Sequence, residues 1–351
     1  MKKSDSEVQM LGAVIPEFGE IKVVEVDDPQ VRSATDVVVK VAAAGVCRTD
    51  LDTIDGALAS VYGAPQFPYI PGHETVGWVE AVGSSVTTVA PGDAVLLHPF
   101  VTCGRCDGCR AGRDMYCTDS RFPGVDAKTW GGFAEYVVTG ERAVIPLQDG
   151  ADLLELAGYA DAGLTAYHAI KRLLPSVEPN GTIVAIGVGG VGHFGVQLLR
   201  RMSSCTVISL DTDPARAALA EELGAHQSFS GSLESMAAEV AGATGGGADA
   251  VIDFAGIGPG PVSLLDFVRK GGAISLVGAS DPVSIDIVRA LVQEVTIVGN
   301  LVGTYTELKE LVSFQKSGLR SLHTRYALSD VEAAIDDLRN GRVVGRAVLV
   351  P

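Results

Sequence analysis

TIVAIGVGGVGHFGVQLLRRM, residues 182–202, is the stretch on which the fold turns. Thr182 to Ile186 read as a strand, and a helix-compatible run begins at His193. Between them lie Gly187, Val188, Gly189, Gly190, Val191 and Gly192. Glycines at a strand-to-helix turn allow tight curvature and let a pyrophosphate touch the helix N-terminus, whose amides and dipole favour an anion. A second strand, Thr206 to Leu210, leads into Asp211, nineteen residues past Gly192, where a carboxylate can accept hydrogen bonds from an adenosine ribose diol. Asp211 and Asp213 together would repel a 2′-phosphate, so NAD is expected rather than NADP, with Arg216 the residue that keeps NADP open. The competing reading is a glycine-rich turn that binds nothing, and strand, glycines, helix and acid in this order weigh against it.

Working outward, strand and helix patterns alternate from about Leu153 to Val298: a helix Ala215 to Leu223 and strands Val251 to Phe254, Ala273 to Val277 and Val295 to Val298. Such alternation means a doubly wound parallel sheet of Rossmann type, and the fold class is α/β. From Gly12 to about Val144 the apolar residues instead form short β-rich runs, among them Val37 to Val41, Thr75 to Val82, Ala94 to Leu97 and Phe133 to Val138, divided by Pro and Gly turns. Thr306 to Pro351 carry two helical stretches and a β-run, Arg346 to Val350, expected to return to the first domain. The expected division is a mostly β domain over 1–155 and 299–351 and a dinucleotide domain over 156–298.

A chain of 351 residues with 47% hydrophobic content supports two cores. No run approaches the roughly 18 apolar residues of a membrane helix, and MKKSDSEVQM lacks the apolar heart of a signal peptide, so a cytoplasmic protein without a membrane partner is expected. With 27 Lys and Arg against 43 Asp and Glu, the formal charge of −16 repels phosphate backbones and argues against nucleic acid as a partner.

Cys103, Cys106, Cys109 and Cys117 fall in CGRCDGCRAGRDMYC, a C-x2-C-x2-C-x7-C spacing. Four thiolates leave Zn2+ no open position, so this would be a structural site. Two disulfides are disfavoured in a reducing cytosol, and the bacterial iron–sulfur run has a shorter last spacer. Any zinc that does chemistry must sit elsewhere. Cys47, in GVCRTD, and His73, in GHE, both lie beside β-runs and supply two of the three protein ligands a catalytic zinc needs. Taken singly, each is equally well a packed core residue.

The chain resembles the zinc-containing medium-chain alcohol dehydrogenases, and among them most nearly the bacterial secondary-alcohol enzymes. Gly72, His73, Glu74, Gly77, Gly83 and Val86 match the family's zinc signature, the cysteine quartet its structural-zinc lobe, and GVGGVG its coenzyme turn. The resemblance implies a GroES-like catalytic domain and two zincs per chain. The catalytic ion would rest on Cys47, His73 and, in AGYADAGLTAYHAI, Asp161. It implies reversible hydride transfer between an alcohol, expected to be secondary, or its ketone, and NAD, with the alcohol ionised on the metal. Thr49 would pass the proton outward, Asp50 would orient His73, and Glu74 would be a neighbour or exchange ligand of the metal. Thr165 and Val191 would contact the nicotinamide, and Arg48 and Arg346 the pyrophosphate. Thr49 and Asp50 also suit a plain helix start. Bacterial relatives are commonly dimers or tetramers, so a homodimer or homotetramer is expected, joined near Val298 to Val302. A polyol or amino-alcohol dehydrogenase of the same fold is the enzymatic alternative. An NAD-binding protein without turnover and a zinc-ribbon nucleic-acid binder are the others.

Overall fold

The computed structural model of the chain describes residues 9–278 and 285–351. Two units emerge. The second, residues 162–303 and 313–320, is built on six parallel strands: β1 (Thr182–Ile186), β2 (Thr206–Asp211), β3 (Gln227–Ser230), β4 (Ala248–Asp253), β5 (Val268–Leu276) and β6 (Thr296–Gly299). Their spatial order is 3-2-1-4-5-6. Chain order reverses between β1 and β4, which are paired in register from Ala250 opposite Ile183 to Asp253 opposite Ile186. Ligands of open α/β sheets bind beyond the carboxyl ends of the strands at such a reversal. Val184, Ile186, Ile208, Leu210, Val251 and Ile274 form part of the core that the buried strands require.

The first unit, which runs to Asp161 and resumes at Thr304–Val312 and Ser321–Pro351, is a mostly β body. Its main sheet has seven strands in the order His323–Ala327, Arg346–Val350, Asp36–Val46, Glu74–Val82, Ala94–Leu97 and Val144–Pro146, with Tyr136–Gly140 also paired to Asp36–Val46. Strand Arg346–Val350 lies against Asp36–Val46 antiparallel, Ala347 opposite Val46. The run DVVVKVAAAGV is almost wholly buried, and its β-branched valines suit a strand enclosed on both faces. Gln9–Val14 and Lys22–Asp27 form a separate hairpin-like pair.

The unit boundaries fall at 161/162 and 303/304, and residues 313–320 join the second unit. Packing explains the shift from the expected 155/156 and 298/299. The helix Leu153–Ala157 rests on strands Asp36–Val46 and Glu74–Val82, while Arg172 donates to the Gly299 carbonyl at 2.6 Å and Asn300 Nδ2 to Ser275 Oγ at 2.8 Å, which keeps the segment after β6 in the second unit. No helix among the described residues is long and apolar enough to cross a membrane.

Candidate metal and coenzyme sites

Cys47 follows strand Asp36–Val46 and stands at the N-cap of the helix Arg48–Ile54. The Asp50 carboxylate accepts the Cys47 N–H at 2.7 Å and the Gly72 N–H at 3.2 Å, tying the ends of two segments together beneath the site. Asp50 is therefore the acid of a helix start, and its Oδ1 also lies 3.4 Å from His73 Nδ1. That approach falls outside hydrogen-bond geometry, leaving Nδ1 without a formal partner. On its other side His73 turns Nε2 to Asp161 Oδ2, 3.4 Å away. Asp161 sits in a π-helical turn, Tyr159–Gly163, between the helices Leu153–Ala157 and Leu164–Leu173. Single π turns of this kind occur often at functional sites because the extra residue re-aims a side chain. Asp161 Oδ2 is 3.8 Å from Cys47 Sγ, and Thr49 Oγ1 stands 3.6 Å from the same sulfur.

Cys47, His73, Glu74 and Asp161 are all buried, and each offers one ligand atom within 4.8 Å of the others. A tetrahedral zinc with bonds of about 2.0–2.3 Å has ligand-to-ligand edges of roughly 3.3–3.8 Å, and the 3.4 Å and 3.8 Å separations at Asp161 fit it. Charge gives an independent test. Cys47, Asp50, Glu74 and Asp161 are enclosed with one guanidinium, Arg346, whose Nε bonds Glu74 Oε2 at 3.0 Å and whose second nitrogen bonds Oε1. Burial pulls the His73 imidazole down, but Asp50, Asp161 and Cys47 outweigh it and hold it well above its ordinary range. A cluster that draws a proton onto a fully buried histidine is one that a divalent cation would neutralise. The residues fit zinc.

Glu74 is otherwise engaged. Burial raises its carboxyl to about 7 against the opposing pull of Arg346, and the two-pronged contact is that of an ion pair. Phe122 stands edge-on to His73 with centroids 5.3 Å apart, and Phe100 lies 4.5 Å from Phe122. These rings keep water from one side of the imidazole.

All four cysteines of the quartet are free thiols, and their sulfurs lie within 4.8 Å of one another. Cys103 and Cys109 are 4.0 Å apart, close to the roughly 3.8 Å edge of a four-thiolate zinc site. Backbone N–H groups do the preparatory work. Those of Cys109 and Thr118 pull the Cys106 thiol down to about 6, and those of Arg105 and Cys106 lower Cys103, whereas burial pushes Cys117 up to about 12. The lobe is moored by Asp114, which accepts the Tyr305 N–H at 2.9 Å.

In the second unit the glycine turn divides its labour by position. Gly187 has φ +88°, open to a residue without Cβ, and a Cβ on Gly192 would stand 1.8 Å from the Gly187 carbonyl oxygen. A Cβ on Gly189 would meet only Arg216, at 4.0 Å, so the backbone there lies open to a ligand. This is the arrangement that lets a pyrophosphate approach. A cavity of about 450 Å³ runs from Gly187 and Gly189 past Asp211 and Arg216 to Phe254 and Pro259. Asp211 reaches it from the end of β2, its oxygens accepting the N–H groups of Val188 at 2.8 Å and Asp213 at 3.0 Å. The Arg216 Nε is 3.9 Å from Asp213. The residues fit a dinucleotide.

The structure thus brings Cys47, Thr49, Asp50, His73, Glu74 and Asp161 together in one unit, and Gly187, Gly189, Asp211 and Arg216 along one cavity in the other. Gly190 and Val191 complete the turn, and Thr165 is buried near the start of the helix Leu164–Leu173. Two arginines stand differently from each other. Arg48 is exposed and 3.9 Å from Asp52, whereas Arg346, expected at the pyrophosphate, is 4% exposed with its guanidinium on Glu74. The packing of Phe122 edge-on to His73, with Phe100 against Phe122, was not anticipated. The HPF and RFP contexts of these residues carry no motif that would have shown it.

Residues 33–149 match the alcohol dehydrogenase GroES-like domain and residues 190–317 the zinc-binding dehydrogenase domain. The chain belongs to the zinc-containing medium-chain alcohol dehydrogenase family. It is 32% identical to an alcohol dehydrogenase of Moraxella sp. (strain TAE123), with 97% of this chain and 99% of that one covered. An NAD-dependent alcohol dehydrogenase of Sulfurisphaera tokodaii is 30% identical over 90% of this chain and 92% of its own. The crystal structure of the alcohol dehydrogenase of Aeropyrum pernix superimposes with a TM-score of 0.90 at 37% identity, covering 97% of this chain and 100% of that one.

Proposed function

We propose that the protein is a zinc-dependent alcohol dehydrogenase that moves a hydride between an alcohol, by preference secondary, and NAD. One observation carries this reading: a thiol, an imidazole and a carboxylate, buried and spaced for one tetrahedral cation, in a chain whose other unit has an open glycine cradle ending in an acid. When bound, the metal supplies the Lewis acidity that lets an alcohol ionise near neutral pH, and the dinucleotide supplies the hydride acceptor. Cys47, His73 and Asp161 would hold the metal. Asp50 keeps the His73 ring turned with Nε2 toward Asp161. Thr49, its hydroxyl beside the Cys47 sulfur, takes the alcohol proton and passes it outward. Glu74 and Arg346 set the charge behind the ligands, the guanidinium offsetting one of the enclosed carboxylates. Thr165 and Val191 flank the nicotinamide end.

Zinc-replete protein is expected to form NADH with secondary alcohols faster than with primary alcohols, polyols or amino alcohols, as followed by absorbance. Absence of turnover with every class, with zinc and NAD both bound, would overturn the reading. In the same assay Asp211→Gly should shift the NAD:NADP preference toward NADP by about tenfold or more, since it removes a carboxylate that repels a 2′-phosphate. An unaltered ratio would remove Asp211 from that role.

We also propose that copies of the chain associate along the second unit. In the helix Ile287–Gln293, Ile287, Val288, Leu291 and Val292 are 66%, 72%, 74% and 67% exposed, and β6 has a paired neighbour on one side alone among the described residues. An aliphatic helix face next to an open strand edge is a surface that soluble proteins cover. On a chain of charge −16 the helix and β6 carry only Arg289 and Glu294, with Asp286 at the helix start, so the like-charge repulsion is small at this face itself. Leu291→Glu is expected to convert the dimer or tetramer to monomer in light scattering; an unchanged mass would rule out this face.

A further inference from the structure

Asp253 ends β4, the strand next to β1, and is 1% exposed. Its carboxylate is fully enclosed by three backbone donors: Oδ1 accepts the N–H groups of Ala255 at 3.0 Å and Gly256 at 2.8 Å, and Oδ2 that of Ile257 at 2.8 Å. A loop folded back on a buried acid in this way cannot drift without stranding either the carboxylate or three amides. Two close approaches locate the loop. A Cβ on Gly187 would stand 2.9 Å from Ala255 Cβ, and one on Gly195 would stand 2.4 Å from the Phe254 ring. A Cβ on Gly278, two residues past β5, would lie 2.3 Å from Gly256 N, so the loop is also gripped from the other side. The loop is in this way wedged against the glycine turn, and Phe254, Ala255, Ile257, Gly258 and Pro259 line the cavity that the turn and Asp211 line from across it.

We infer that Asp253 is a positioning residue for coenzyme binding: it presets the Phe254–Gly260 wall of the dinucleotide cavity before the coenzyme arrives. The inference rests on the coenzyme reading above. The requirement is for a carboxylate. An asparagine could accept from Ala255 and Gly256 with its one oxygen, but its amide would then point two donors at the Ile257 N–H. The acid touches neither substrate nor coenzyme, and it acts through the loop.

The test compares unsubstituted, zinc-replete protein with Asp253→Asn by calorimetric NAD titration and by steady-state kinetics. The expected result is a rise of roughly tenfold to a hundredfold in both Kd and KM for NAD, the effect of losing a hydrogen bond to a charged group. The value of kcat at saturating NAD should not fall, and zinc content should not change. A merely structural role would lower the active fraction, and with it kcat, while leaving KM alone, and that result overturns the inference. Unsubstituted protein that binds NAD together with a variant that binds it equally well also overturns it and leaves the coenzyme reading standing. Failure of the unsubstituted protein to bind NAD sinks both. Hydrogen exchange on the unsubstituted protein serves if the variant does not fold. The amides of Ala255, Gly256 and Ile257 should be protected without NAD, and exchange at open-loop rates until NAD is added would show that the wall forms on binding and refute the preset.

Discussion

Cys47→Ser is expected to lower bound zinc from two ions per chain to one and to reduce turnover by about a thousandfold or more, while NAD still binds. The physical reason lies in the ligand set. Cys47, His73 and Asp161 are the three groups available for the metal once Glu74 is committed to Arg346, so loss of the thiolate leaves an imidazole and one carboxylate. A serine hydroxyl at the same place does not ionise and cannot replace it. Since Asp50 accepts from the Cys47 backbone N–H and not from the sulfur, the helix start survives the substitution. Metal analysis, NADH formation and a thermal melt check the three parts. Two zincs retained, or turnover unchanged with one, would contradict the assignment of Cys47.

The second large effect is expected at the quartet. Cys106→Ser should abolish one zinc and lower the melting temperature by about 10 °C or more, with loss of soluble protein at 37 °C. Structural zinc in small domains contributes of order 10 kcal/mol, and even a third of that amount, set against a shift of about 2–4 °C per kcal/mol for a domain of this size, gives the figure. Cys106 is the thiol that the backbone prepares most strongly for the thiolate state, since the N–H groups of Cys109 and Thr118 draw it down to about 6. Without a metal those donors face a hydroxyl. Calorimetry on zinc-replete wild type and variant decides the matter, and equal melting temperatures with equal zinc would refute a structural role.

Both sites could be read from short motifs because their ligands announce themselves locally: the quartet spans fifteen residues, and the glycine turn sits between a strand and a helix that pattern alone reveals. Strand Thr182–Ile186 was legible to the residue because Ile183 to Ile186 are buried on both sides and so must be apolar. Gln227–Ser230 and His323–Ala327 were not expected. Each is an edge strand with a single partner, and edge strands need no apolar run: QSFS and HTRYA look like loop. The expected strand Phe133 to Val138 forms later, at Tyr136–Gly140, because Phe133 and Ala134 are spent on contacts with Ala13 and Gly12. Long-range pairs were the hardest. Glu74 and Arg346 are 272 residues apart, and nothing in either neighbourhood says that one carboxylate beside the metal ligands is held by an arginine from a distant strand. Asp161 is pointed to by resemblance and not by periodicity, since a π turn breaks the helical repeat that a pattern search follows.

The second unit is an insertion within the first: strand Arg346–Val350, an interior strand of the first sheet, is synthesised only after residues 162–303. While that insert is unfolded, pairing Ala347 with Val46 means closing a loop that contains all of it, an entropic cost that delays assembly of non-local sheets. Once folded, the insert brings its own two ends together, for a Cβ on Gly303 would lie 2.6 Å from the Leu164 side chain. The long loop then becomes a short clip. Completing the dinucleotide unit first would therefore shorten the loop that the sheet of the first unit has to close.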